Sequence, residues 1–275
     1  MDTVITSSSV AALLTQHGSA AAPLIIDVRR QPAFAGDPQI IAGATWRDPF
    51  TVNDWARYLP RHRNVLVYCV HDHEISKNVA AALCAEGIQA RYLEGGIEAW
   101  RAAAGATTKK SVNPAIPSPA NLPSIWVTRE RPKIDRIACP WLVRRFIDPL
   151  AEFVYLPASE VLAYAAQHKA IAYDVPNAQF THRGDLCSFD ALMADFELHD
   201  AALDDLARIV RGADTGMLDL TPQSHGLLAV SLGLSALYRN DHEMLKHGMV
   251  IYDALYAWLK SARAEIHNAD LFKKS

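Results

Sequence analysis

A short apolar run, Asn64-Val65-Leu66-Val67-Tyr68, stops at Cys69 and gives way to a polar loop and then to a helix-forming stretch. The run is rich in β-formers and too short for a typical helix, so it reads as a strand. Residues 76–86 read as the helix, with Ser76 at the N-cap, Ala and Leu in the body and Gly87 as the stop. Upstream, Leu24–Val28 is a second strand-like run. Downstream, Gln89–Leu93 is a third, followed by the Gly95-Gly96 turn and a short helix through Trp100. Strand, helix and strand in this order predict an α/β fold in which helices cover a parallel sheet.

The pattern breaks after residue 105. Pro114, Pro117, Pro119 and Pro123 lie among Ser, Asn and Ala, a composition that favours an extended linker over 106–124. The chain therefore divides into a first domain at 1–105 and a second at 125–275, as its length of 275 residues also suggests. In the second domain, Ile125–Thr128, Phe153–Leu156 and Ile171–Val175 read as strands, and helices dominate after Phe189. Asp200–Arg211 and Asp241–Lys260 carry apolar stripes at helical spacing, the latter through Leu245, Met249, Tyr252, Leu255 and Leu259. A mixed, mostly helical second domain is expected.

Lys and Arg number 27 against 30 Asp and Glu, a net charge of −3 that gives no general footprint for nucleic acid. The N-terminus lacks a cationic segment before a hydrophobic run, and no uninterrupted apolar stretch is long enough to span a membrane. Cys69, Cys84, Cys139 and Cys187 show no CxxC spacing. A cytoplasmic protein with reduced thiols is the expectation.

A strand that ends in cysteine before a loop and a helix can bind anions, because loop amides and the helix N-terminus face a common centre. Such a centre stabilises a thiolate, although a buried cysteine at a strand end is an equally ordinary reading. The wider sequence resembles the rhodanese family. The resemblance rests on Ile26-Asp27-Val28-Arg29, Ile41-Ala42-Gly43-Ala44, Val67-Tyr68-Cys69 and Leu93-Glu94-Gly95-Gly96-Ile97-Glu98-Ala99-Trp100, in the family's order. It implies a persulfide-carrying nucleophile at Cys69 and a substrate cradle made by Val70, His71, Asp72, His73, Glu74, Ile75 and Ser76. The six residues between Cys69 and Ser76 are one more than in the usual sulfurtransferase loop, and they include two acids and no Arg or Lys. Loop length is similar to that of rhodanese-fold phosphatases and arsenate reductases, but Ile75 stands where those relatives carry Arg. Lys77, His71 and His73 are left to offset the acids. For the two histidines, simple solvation, general-acid work and a metal site with Cys69 all stay open. Asp27 and Arg29 read as fold-stabilising, and Cys84 as core.

The second domain resembles the C-terminal domain of the ChrB-type chromate-resistance family. The matching segments begin at Asp135-Arg136-Ile137-Ala138-Cys139-Pro140-Trp141-Leu142, Phe180-Thr181-His182-Arg183-Gly184-Asp185-Leu186-Cys187, Leu206–Asp214 and Asn240–Trp258. His182, Cys187, Asp135, Asp241 and His242 are residue types that hold divalent metals. A metal site at His182, Asp241 and His242 is one expectation, and a buried polar network is the other. Arg129, Arg131, Lys133, Arg136, Arg144 and Arg145 would suit an oxyanion such as chromate, or a solvated or DNA-facing surface.

Together these readings imply a single-cysteine sulfurtransferase associated with chromate resistance. It would take sulfur from a small inorganic donor, pass it to a thiol and need no cofactor for that step. Two alternatives remain: a chromate-, oxyanion- or metal-binding sensor or regulatory protein with a rhodanese module, and a Cys69-dependent oxyanion reductase.

Overall fold

Leu24–Asp27 and Val65–Tyr68 are buried at every position because both faces of their sheet are covered. The computed structural model of the protein describes residues 6–71, 74–110 and 123–265. The first half opens with β1 (Ser7–Ser8), α1 (Val10–Gln16), β2 (Leu24–Asp27), α2 (Gln31–Gly36), β3 (Gln39–Ile41), β4 (Ala44–Trp46) and α3 (Val52–Ala56). It continues through β5 (Val65–Tyr68), α4 (Glu74–Ala85), β6 (Ala90–Leu93), α5 (Gly96–Ala102) and β7 (Thr107–Lys109). Five strands form a parallel sheet in the order β1-β6-β5-β2-β4, while β3 and β7 make a separate antiparallel pair. Alternation sorts the side chains. Leu24, Ile26, Val65 and Val67 pack with Trp55, Val79 and Leu83, whereas Ile25, Leu66 and Tyr68 pack with Leu13, Ile97 and Trp100.

The second half contains β8 (Ile125–Arg129), α6 (Asp135–Phe146), β9 (Glu152–Leu156), α7 (Val161–His168), β10 (Ile171–Ala172) and α8 (Ser188–Asp195). It ends with α9 (Ala201–Asp214), α10 (Pro222–Leu237) and α11 (Asp241–Ala257). Its three strands are parallel, in the order β10-β8-β9. Trp126, on one face, enters a large core with Trp141, Phe146, Phe189 and Tyr252; Val127, on the other, meets Val161 of α7. The protein is thus a mixed α/β chain whose second half is mostly helical. Among the described residues no helix is long and apolar enough to cross a membrane.

Several expected boundaries shift. The helix after Cys69 begins at Glu74, so Ser76 lies inside its first turn and is fully buried instead of capping it. The third strand of the second half stops at Ala172, because Asp174 takes a left-handed φ of 50°. The expected 106–124 linker begins with β7, and its residues 111–122 lie outside the described residues. Helix α6 contains Pro140, which cannot donate to the Arg136 carbonyl. The Tyr173 hydroxyl donates to that carbonyl instead, at 3.4 Å.

The halves share a seam. The Gly43 amide donates to the Phe146 carbonyl at 2.7 Å, and the Lys109 amide to the Phe196 carbonyl at 3.0 Å. Thr108 Oγ1 also donates to the Phe196 carbonyl, at 2.8 Å, and Lys260 Nζ reaches the Leu14 carbonyl at 2.8 Å. Ala42 and Ala106 belong to the large core of the second half. Gly43 has a φ of 79°, and a Cβ there would meet the Arg145 carbonyl oxygen at 3.1 Å.

Candidate functional site

Strand β5 delivers Cys69 to the carboxyl end of the parallel sheet, the usual side for ligands in such folds. The side chain is 2 % exposed. Its thiol faces the His71 carbonyl and lies 3.4 Å from Ser76 Oγ, which explains why Ser76 turns inward from α4. The other wall is the start of α5. Ile97 N–H donates to the Cys69 carbonyl at 3.0 Å, and Glu98 N–H to the Val70 carbonyl at 3.3 Å. Gly96 makes this approach feasible: its φ is 57°, and a Cβ would stand 2.4 Å from the Cys69 carbonyl oxygen.

Of the expected cradle, Val70 is half-buried and His71 exposed, whereas Glu74 and Ile75 belong to the first turn of α4. Asp72 and His73 lie outside the described residues. The loop is therefore shorter than the count to Ser76 implied, because the helix starts two residues sooner. Lys77 Nζ sits 5.5 Å from the centre of the Tyr92 ring.

Asp27 and Arg29 brace the sheet end. The Arg29 guanidinium, 1 % exposed, donates to Asp27 through Nε at 2.9 Å and Nη2 at 2.6 Å, and to Asp37 through Nη1 at 2.6 Å. Burial opposes the Arg29 charge, but the Asp27 carboxylate outweighs it and raises the pKa. The Tyr68 hydroxyl donates to Asp27 at 3.0 Å, which ties the residue before the cysteine to the same network.

A second constellation forms in the other half. Asp135 opens α6, Asp174 follows β10, His182 lies in the segment before α8, and Asp214 closes α9. His182 Nε2 is 3.1 Å from Asp214 Oδ2, 3.4 Å from Asp174 Oδ1 and 3.8 Å from Asp135 Oδ2. Its hydrogen bond with Asp174, helped by the charges of Asp135 and Asp214, raises the imidazole pKa to about 9. Burial pushes Asp135 well above the usual carboxylate range, and the charges of Asp214 and Asp174 push it further. Asp214 moves up for the same reasons, burial first and then Asp174. Cys139 Sγ lies 3.7 Å from Asp135 Oδ1, and Cys187 stands at the N-cap of α8. Burial and then the Asp135 charge raise both thiols, which keeps them protonated.

Among the described residues, the metal set expected from sequence, His182, Asp241 and His242, is not gathered at one point. His182 joins Asp135, Asp174 and Asp214, while Asp241 and His242 open α11 among other partners. Asp241 Oδ2 accepts from the Arg131 amide at 3.1 Å, and the His242 ring meets Tyr155 edge-on at 5.5 Å. Sequence reading passed over Asp174, whose only trace is an acid at the end of an apolar run. The basic run does not form one patch. Arg131 bonds the end of α10 and the residues after it, Arg136 pairs with Asp174 at 3.3 Å, and Arg145 pairs with Asp253 at 2.8 Å.

The sheet order, the cysteine at the β5 end and the glycine turn against it are those of a rhodanese-like domain, and residues 9–103 match that family. Residues 126–259 match the ChrB C-terminal domain, so the chain joins a rhodanese-like domain to a ChrB C-terminal domain. Protein ChrB of Cupriavidus metallidurans is 36 % identical over 139 residues, which cover 50 % of this chain and 41 % of that protein. The chain thus spans less than half the length of that relative. A solved rhodanese-related protein from Thermoplasma volcanium aligns at 22 % identity over 37 % of this chain and 96 % of its own, with a TM-score of 0.33. A rhodanese-like domain protein from Staphylococcus aureus aligns at 24 % identity over 35 % and 91 % respectively, with a TM-score of 0.32.

Proposed function

We propose that the rhodanese-like half transfers sulfur through Cys69 and that the activity serves chromate resistance. The observation that carries this reading is the placement of the Cys69 thiol at the end of β5, 3.4 Å from the Ser76 hydroxyl at the start of the twelve-residue helix α4. Amides at a helix N-terminus favour an anion, both the thiolate and the persulfide that would replace it. The Cys69 thiolate attacks the terminal sulfur of thiosulfate, and the sulfur–sulfur bond to the sulfonate breaks. Sulfite leaves with the electron pair, and Cys69 holds a persulfide. An acceptor thiolate then attacks the outer sulfur, and Cys69 departs as thiolate with a new persulfide on the acceptor. No electron leaves the set of sulfur atoms, so the cycle needs no cofactor. A thiol-rich cytoplasm supplies the acceptor. Fusion to a ChrB C-terminal domain supports the link with chromate resistance.

Oxyanion reduction is less well supported, since it calls for a resolving thiol. Cys84 donates to the Ala90 carbonyl at 3.4 Å, and Cys139 and Cys187 are engaged beside Asp135.

Intact-mass measurement after exposure to thiosulfate or mercaptopyruvate tests the reading. A gain of about 32 Da is expected in the wild type and should be missing in Cys69→Ser. An equal gain in Cys69→Ser, or none in the wild type with either donor, would overturn it.

A further inference from the structure

We propose that Asp135, Asp174, His182 and Asp214 form a binding site for a divalent cation of the Mn2+ class. The inference is independent of sulfur transfer at Cys69.

The geometry is that of ligands around a point. Three carboxylate oxygens from three different residues stand 3.1, 3.4 and 3.8 Å from one imidazole nitrogen. One donor atom each from Asp135, His182 and Asp214 lies within 4.8 Å of the other two. Ligand atoms about 2.1 Å from a central ion stand roughly 3–4 Å from one another, and the three distances from His182 Nε2 fall in that range. An ion-pair network would not need this arrangement. A ring nitrogen carries at most one proton, so His182 Nε2 can donate to only one of the three carboxylates it faces. Arg136 supplies a second cation, but it approaches Asp174, at 3.3 Å.

Each carboxylate is also oriented from outside the focus, as ligands to metals are. Asp135 accepts the Ser188 and Phe189 amides at the start of α8, at 2.5 and 3.1 Å. Asp174 Oδ1 accepts the Ser188 hydroxyl at 2.8 Å, and Asp214 Oδ1 accepts the Asp135 amide at 3.4 Å. Side-chain exposure rises from 0 % at Asp135 through 7 % at Asp174 and 18 % at Asp214 to 41 % at His182, giving a closed floor and an open side where an ion can enter.

Donor chemistry fixes the class. Three carboxylates with one imidazole suit a hard-to-borderline dication such as Mn2+, whereas a copper(I) or iron–sulfur site would call for thiolates. Cys139 and Cys187 are near, but the first contacts Asp135 and the second caps α8.

The test uses the full-length chain, treated with chelator, dialysed and titrated with MnCl2 while the signal of free Mn2+ is followed by electron paramagnetic resonance. We expect one Mn2+ per chain, with nitrogen coupling from one imidazole in the pulsed spectrum. His182→Ala should remove that coupling, and both His182→Ala and Asp214→Asn should weaken binding about tenfold or more. Far-UV circular dichroism of each variant checks the fold. Because His182 and Asp214 lie on the open side, both variants should keep it. Absence of Mn2+ uptake by the wild type at millimolar concentration would overturn the proposal. So would unchanged affinity and coupling in folded His182→Ala.

Discussion

His17 shows how one buried side chain makes stability depend on pH. It is fully enclosed, with its ring edge-on to Trp100 at 5.0 Å and to Phe146 at 5.4 Å, and with Nε2 2.8 Å from the Ala42 carbonyl. Burial lowers its pKa to about 4, and the charge of Lys260 adds to the effect. An unfolded chain takes up this proton near pH 6.5, while the fold resists it until about pH 4. The unfolded state therefore binds more protons in that window, and stability falls as pH drops from 6.5 towards 4, by about 3 kcal/mol at the lower end. Urea unfolding of the wild type and His17→Gln at pH 7.5, 5.5 and 4 would check this. The variant should show a clearly flatter loss, and parallel losses would rule the account out. Residues differ in how plainly the sequence announces them. Cys69 is legible because strand, loop and helix are contiguous around it. The carboxylate–histidine cluster is not, because tertiary packing alone gathers Asp135, Asp174, His182 and Asp214 from four separate segments.

At the scale of elements, local signals succeed where one pattern rules and fail where packing overrides propensity. The strands β2 and β5 were readable because a central parallel strand is apolar on both faces. Helix α6 was not, since Pro140 and the surrounding charges argue against a helix, yet nine of its twelve residues are buried and hold it in place. Tyr173→Phe should cost about 1 kcal/mol in chemical denaturation, as the Arg136 carbonyl loses its donor. No change in midpoint would show that another group satisfies that carbonyl. The turn between β6 and α5 is less forgiving. Gly96→Ala sets a Cβ against two carbonyl oxygens, at 2.4 and 2.7 Å, in a left-handed conformation. It should destabilise the protein by at least about 1–2 kcal/mol and displace the Cys69 loop. Thermal melting together with the persulfide yield would register both effects, and a normal yield at full stability would contradict them.

Across the whole molecule, the two halves are legible as separate sequence patterns but not as a shared body. The Pro-rich composition after residue 105 reads as a tether, whereas β7 pairs with β3 and also bonds the carbonyl of Phe196. Such pairing depends on partners distant in sequence, which no local window can reveal. Calorimetry of the full chain should give one cooperative transition, because Ala42 and Ala106 of the first half belong to the core of the second and His17 packs edge-on against Phe146. Two resolved transitions would mean that the halves melt independently. The glycine at the seam carries a further implication, in terms of modularity. A foreign rhodanese domain grafted onto this ChrB-type half would need a glycine at the position of Gly43, with its amide aimed at the carbonyl of Phe146. Recombination at the level of whole domains should therefore succeed only between chains that keep this small contact, even though neither Cys69 nor the carboxylate–histidine cluster takes part in it.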